Sequence, residues 1–235
     1  KVSYSTKSYN NKYGVPLSLF NIKKNDDFGI FEVGMDKFGE IDFLSKIIKP
    51  DVAVITNISY AHAKNFRNLN QIAKAKSEII DNISKNGSIV LNADDGFFKK
   101  HKKLALNKKL KICSFSLNKR NANVYIKKII NLKNKFVVLI NINKKEKNFF
   151  VKSIFESNLQ NILAAISVIS IFKDINKLNK NIFYNFKTPK GRGDISKIKI
   201  KRKVIKFIDE SYNANPLSVS SAIKNFDLIK KDLGK

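Results

Sequence analysis

The sequence predicts an α/β fold: a mostly parallel sheet flanked by helices, an antiparallel β portion, and then the start of a second α/β domain. Three observations carry this. Short apolar runs alternate with helical patterns from about residue 28 to 117, which is the signature of parallel strands joined by helical crossovers. Residues 122–155 switch to β-type runs separated by Asn/Lys turns. Thr188-Pro-Lys-Gly-Arg-Gly193 is then a turn-rich hinge, followed by new strand and helix patterns.

In chain order, the parallel strands are predicted at Gly29-Ile-Phe-Glu-Val33, Val52-Ala-Val-Ile-Thr56, Ser88-Ile-Val-Leu91 and Lys111-Ile-Cys-Ser-Phe115. Helices are predicted between them near 41–48, 69–84 and 95–106. Val124-Tyr-Ile126, Phe136-Val-Val-Leu-Ile140 and Phe149-Phe-Val151 read as antiparallel strands. A helix near 158–172 and a shorter one near 175–184 follow. Beyond the hinge come strands near 195–200 and 204–208, then a helix opened by Asn215-Pro216, with proline at its favoured first position. The domains expected are 1–187 and 188–235. No internal repeat is visible.

The net charge of +27 raises a nucleic-acid reading. Only four of the 46 basic residues are arginine (Arg67, Arg120, Arg192, Arg202), whereas phosphate and base recognition favour arginine's bidentate fork. The lysines are spread through the chain rather than interleaved with aromatics in one patch, so no nucleic-acid partner is expected. Cys113 is the only cysteine, which fits a reducing cytoplasm and a small core residue. No run approaches a membrane span, and the first residues do not read as a signal peptide. Lys1-Val-Ser-Tyr4 and Asp232-Leu-Gly-Lys235 read as the interior of a longer protein, so a fragment is expected.

The helix over 69–84 carries the most informative residue. Leu69, Ile72, Ala73, Ile79, Ile80 and Ile83 share one face, and Lys76 shares it with them. Asn68 as N-cap with Gln71 three residues later sets the register. A lysine on a core-facing stripe either snorkels to water or has its amine altered or engaged at a site. Ligands of open α/β sheets bind at the carboxyl ends of strands, and three predicted strand ends carry polar groups. Glu32 lies in the apolar run Ile30–Val33, where a carboxylate needs a cation or a hydrogen-bond network. Asn57 ends the second strand with His62 just after it, and Asp209 ends the strand over 204–208. Glu32, His62 and Lys76 together suit a hard cation such as Mg²⁺.

Six spaced motifs, in order, resemble the Mur ligases: Glu32-Val-Gly-Met-x-x-x-Gly-Glu-Ile41, Asn57-Ile-x-x-Ala-His62, Ala75-Lys-x-Glu-Ile79, Asn158-x-x-Asn-x-x-Ala-Ala165, Gly191-Arg192 and Asp209-x-Ser-Tyr-Asn-Ala-Asn-Pro216. The last motif and Asn10-Asn-x-x-Gly-Val-Pro16 are most similar to the member that adds D-alanyl-D-alanine to a UDP-muramoyl-tripeptide. The resemblance implies ATP-dependent carboxylate–amine ligation in peptidoglycan precursor synthesis, with ATP and Mg²⁺ as cofactors and no partner beyond small-molecule substrates. A cytoplasmic monomer is expected, with 1–187 as the family's central ATP-binding domain and 188–235 as the start of its C-terminal domain.

By that resemblance Glu32, His62 and Lys76 are catalytic and metal-binding, Lys76 as a carbamate. Asn158, Asn161, Arg192 and Asp209 contact ATP. Asn10, Asn11, Asn57, Tyr212, Asn213 and Asn215 contact the substrates. The sequence departs from the pattern at Ser157 and Glu210, which stand where the family has a histidine and a different second acid. The phosphate-cradling G-x-x-G-K-[ST] loop is absent from these 235 residues, and the chain alone is expected to be inactive. Sibling ligases of other specificity, folylpolyglutamate synthase among them, are the alternative. The residues after Asp209 weigh against them.

Overall fold

The computed structural model describes residues 1–60, 65–133, 135–186, 189–201, 203–212 and 216–228. Its centre is a six-stranded sheet whose spatial order follows the sequence: β3 (Val52–Ile55), β4 (Ser88–Asn92), β5 (Lys111–Ser116), β6 (Val124–Leu132), β7 (Lys135–Ile142) and β8 (Lys145–Val151). Strands β3 to β6 pair in parallel, and β6 to β8 pair antiparallel. Helices α3 (Leu69–Asp81) and α4 (Phe98–Asn107) are the crossovers between β3, β4 and β5, as the alternating pattern requires. The β5-to-β6 return is too short for a helix, and its pairing is confined to Phe115↔Val124 and Ser116↔Tyr125.

All five residues of β4 are buried, as expected for an inner parallel strand covered on both faces. Alternate side chains serve alternate faces. Val90 joins Cys113, Phe115, Phe149 and the buried stripe of α5 (Glu156–Phe172), including Leu159, Leu163 and Ile166. Ile89 and Leu91 point the other way, toward Ile80 of α3 and Ala105 of α4. A third cluster packs Ile41 of α2 (Glu40–Ile48) on Ile72 and Ala75 of α3, with Met35 and Phe66. Lone Cys113 lies in the first cluster, as a small core residue should.

The structure corrects four expectations. The strand near 29–33 is only Phe28–Ile30 (β2). It pairs in parallel with β1 (Val2–Tyr4) as a separate two-stranded sheet and does not join the central one. Glu32 therefore lies beyond the strand and is exposed, not held in an apolar run. Helix α3 stops at Asp81 because Asn82 turns its side-chain amide onto Asp42 Oδ1 and Ser45 Oγ, both at 2.9 Å, across on α2. The helix predicted near 175–184 is one 3₁₀ turn, Ile175–Lys177. The Asp174 side chain caps it, and Asn179 bends the following residues by accepting from Asn181 N–H at 2.9 Å.

A short helix, α1 (Gly14–Phe20), went unpredicted; its signal is Asn11, whose side-chain oxygen accepts from Tyr13 and Gly14 N–H at 3.1 and 3.0 Å. After the hinge, β9 (Asp194–Ile200) and β10 (Lys203–Asp209) form an antiparallel hairpin, and α6 (Pro216–Leu228) begins at its proline as predicted.

Candidate active site

Lys76 sits half-buried on α3 between Ile72 and Ile80, which are 1% and 2% exposed, as the helical count predicts. Asn68 caps the helix through Gln71 N–H at 3.1 Å. Gln71 Oε1 reaches back to Arg67 N–H at 2.9 Å, one residue earlier than the usual reciprocal cap. The amine of Lys76 resolves its burial by donating to the Asn57 carbonyl oxygen at 2.9 Å, just past the end of β3. Burial pushes its pKa down, and the Asp95 carboxylate pulls the other way.

Asp95 escaped the sequence reading. It lies beyond β4 in Asn92-Ala-Asp-Asp95, where polar residues interrupt the apolar pattern at a strand's carboxyl end, and that was the available signal. Its two oxygens accept from Ile58 N–H at 2.7 Å and from Phe97 N–H at 2.8 Å. One carboxylate therefore ties the loop after β3 to the loop after β4, next to the lysine. His101 of α4 is 2% exposed behind this cluster, with Nε2 3.1 Å from the Ala73 carbonyl oxygen. A carbonyl only accepts, so Nε2 carries the proton. Burial holds the ring's pKa below its ordinary value.

A second group forms where the first residues of the chain meet the turn after β10. Asn10 donates its side-chain amide to Glu32 Oε1 at 2.8 Å, and Asn10 carbonyl accepts Gly34 N–H at 2.7 Å. Across from them the Tyr212 hydroxyl pairs with Ser8 Oγ at 2.5 Å, and the Arg192 guanidinium lies 4.2 Å from the centre of the Tyr212 ring. Gly191, at φ +73°, allows this approach: a Cβ there would fall 2.9 Å from Tyr212 N. Hydrogen bonds from Ser8 and then Arg192 lower the Tyr212 pKa, while Glu32 acts on the same phenol to raise it. Asp209 ends β10, and its pKa is lowered by hydrogen bonds from the Ser211 side chain and then from Ser211 N–H, the latter at 2.9 Å. Glu210 is raised by burial and by Asp209 and Asp194.

The predicted residues thus fall into groups. Lys76 meets Asn57, and Glu32 meets Asn10 and acts on the Tyr212 phenol, which Arg192 also contacts. Asn158 and Asn161 stand on the first turns of α5, half-buried and exposed. Asn11 spends its side-chain oxygen on capping α1. His62, Asn213 and Asn215 lie outside the described residues. Among the described residues no three His, Cys, Asp or Glu side chains are grouped to hold a metal.

The donor chemistry still bears on a cation. The Glu32 carboxylate has lone pairs beyond the one Asn10 uses. Lys76 cannot ligate as an ammonium. As a carbamate its oxygens would face the Asn57 carbonyl and the Asp95 carboxylate, an acceptor cluster that needs a cation to balance it.

A mixed sheet with a lysine, a carboxylate and an asparagine gathered at the carboxyl ends of parallel strands defines an α/β domain built to work on a ligand at that edge. The chain belongs to the Mur ligase family: the family's model described as the Mur ligase middle domain matches residues 1–169. It is 30% identical over 96% of its length to the UDP-N-acetylmuramoyl-tripeptide–D-alanyl-D-alanine ligase of Rickettsia prowazekii (strain Madrid E). It is 33% identical over 92% of its length to the ligase of the same name from Buchnera aphidicola subsp. Baizongia pistaciae (strain Bp). Among solved structures, MurF from Acinetobacter baumannii superposes with a TM-score of 0.85 at 28% identity, over 97% of this chain and 49% of that one. The chain spans about half the length of these relatives, covering 49% and 45% of the two ligases.

Proposed function

We propose that the protein carrying this chain is an ATP-dependent ligase that joins D-alanyl-D-alanine to UDP-N-acetylmuramoyl-tripeptide in peptidoglycan precursor synthesis. The observation that carries the reading is Lys76 seated on the Asn57 carbonyl beside Asp95, at the carboxyl edge of a Mur ligase sheet. The names of the two ligases above supply the substrates. Residues 1–187 are read as the central ATP-binding domain and 188–235 as the beginning of the next.

In this reaction the tripeptide's terminal carboxylate oxygen attacks the γ-phosphorus of ATP and ADP leaves. The dipeptide amine then attacks the acyl phosphate carbon, loses a proton and expels phosphate. Mg²⁺, where bound, would supply neutralisation of charge on the phosphoryl oxygens. Glu32 would hold one such ion, and Lys76 as a carbamate, together with His62, a second. Asp95 keeps the Asn57–Ile58 loop in place through Ile58 N–H. Arg192 and Asp209 are assigned to ATP with Asn158 and Asn161. Asn10, Tyr212, Asn213 and Asn215 are assigned to the substrate side.

The test is ADP release by the complete protein with the UDP-muramoyl-tripeptide and either D-alanyl-D-alanine or a single amino acid. Release that requires the dipeptide supports the assignment. Equal efficiency with a single amino acid refutes it.

A further inference from the structure

Tyr212 is held at three points by two parts of the chain. Its backbone N–H donates to the Gly191 carbonyl at 3.0 Å, its hydroxyl meets Ser8 Oγ at 2.5 Å, and its ring lies under the Arg192 guanidinium at 4.2 Å. The Ser8 contact joins residues 204 positions apart. The Ser8 side is itself braced. Asn10, two residues on, holds Glu32 through its amide and Gly34 N–H through its carbonyl, and a Cβ on Gly34 would meet the Asn10 side chain at 2.9 Å.

We propose that Ser8 and Tyr212 form a clasp that positions Arg192: the ring carries the guanidinium, and the Ser8 hydroxyl fixes the ring. Its purpose follows from charge. Glu32 and Arg192 act on the Tyr212 phenol with opposite sign, so a carboxylate and a guanidinium both neighbour it. An exposed guanidinium beside an exposed carboxylate favours a bidentate pair, which would consume both groups. The phenol oxygen takes one guanidinium N–H and the ring meets the guanidinium carbon, which leaves the remaining N–H donors for an incoming anion. Ser8 and Tyr212 are thus positioning residues acting through Arg192. What Arg192 then meets, a phosphate of ATP, rests on the ligase reading above.

The test reads the arginine directly. In the complete protein, ¹⁵N-arginine labelling confines the spectrum to arginine Nε–Hε signals, and Arg192→Lys assigns the one of interest. A proton over a ring face is shifted upfield. The Arg192 signal is expected upfield in the parent, to move toward the others in Ser8→Ala and Tyr212→Phe, to move fully in Tyr212→Leu, and to stay in Ser8→Thr. Kinetics of the complete protein supply the second arm. Ser8→Ala and Tyr212→Phe should each raise KM for ATP roughly fivefold, the factor one ordinary hydrogen bond carries, and Ser8→Ala should leave kcat little changed. The double variant should be no worse than either single one.

An Arg192 signal unmoved by Ser8→Ala overturns the clasp. A moved signal with unchanged KM for ATP, or additive effects in the double variant, overturns its role in positioning. If the protein shows no dipeptide-dependent ADP release, the ligase reading falls separately. Equilibrium ATP affinity then replaces KM and decides the clasp in the same way.

Discussion

Replacing Lys76 with methionine should separate stability from activity. Methionine keeps most of the aliphatic stem against Ile72 and Ile80 and removes the ammonium. The structure supplies two opposing terms. The 2.9 Å bond to the Asn57 carbonyl is charge-assisted, and such bonds contribute about 1.5–3 kcal/mol. Against it stands the cost of holding the charge half-buried, visible in the lowered pKa. The terms nearly cancel, so the net change should stay within about 1 kcal/mol, or roughly 2–4 °C in Tm. Ligation by the complete protein should fall at least about 10³-fold if the amine becomes a carbamate that holds the metal. Acetate should restore part of it by supplying the missing oxygens.

Lys74→Met is the control. Lys74 is exposed, 5.9 Å from the Phe38 ring, a contact of about 0.5–1 kcal/mol. Its loss should leave ligation unchanged. Differential scanning calorimetry and phosphate release measure the two quantities. Activity within about twofold of the parent in Lys76→Met, or equal loss in both variants, refutes the reasoning.

Glu32→Ala removes an exposed carboxylate that has one side-chain hydrogen-bond partner, Asn10, among the described residues, so thermal stability should hold while kcat drops by orders of magnitude at saturating Mg²⁺; a twofold effect would reduce Glu32 to a structural role. His101 has a folded pKa below the ordinary 6.5 because burial disfavours its charged form, so the stability it contributes is present above pH 6.5 and lost as pH falls through the folded value. The stability–pH curve measured by urea unfolding should therefore decline below pH 6.5, with a limit of about 1.4 kcal/mol per pH unit for one proton, and His101→Phe should flatten that limb. Ile72→Ala empties a site 1% exposed among Met35, Ile41 and Phe66 and should cost about 2–5 kcal/mol, read as a lower midpoint in the same experiment.

The amino-acid sequence by itself determined what depends on near neighbours along the chain. The 3.6-residue count over Leu69–Asp81 placed Lys76 between two buried isoleucines, and the structure keeps it there. The apolar runs of β4 and β5, and the antiparallel set β6 to β8, were legible because side-chain period and turn residues are local properties. Local patterns also compete, and there the reading failed: Asx turns at Asp174 and Asn179 displaced the helix predicted near 175–184.

Only the tertiary structure decided which strand pairs with which. Period-2 patterning says that a strand exists and not which edge it joins, so the separation of β1–β2 from the central sheet carried no local signal. Likewise Asp95 binds across two loops 37 residues apart, and Ser8 meets Tyr212 across 204. Such contacts are set by how the whole chain closes on itself, and no window of neighbouring residues contains them.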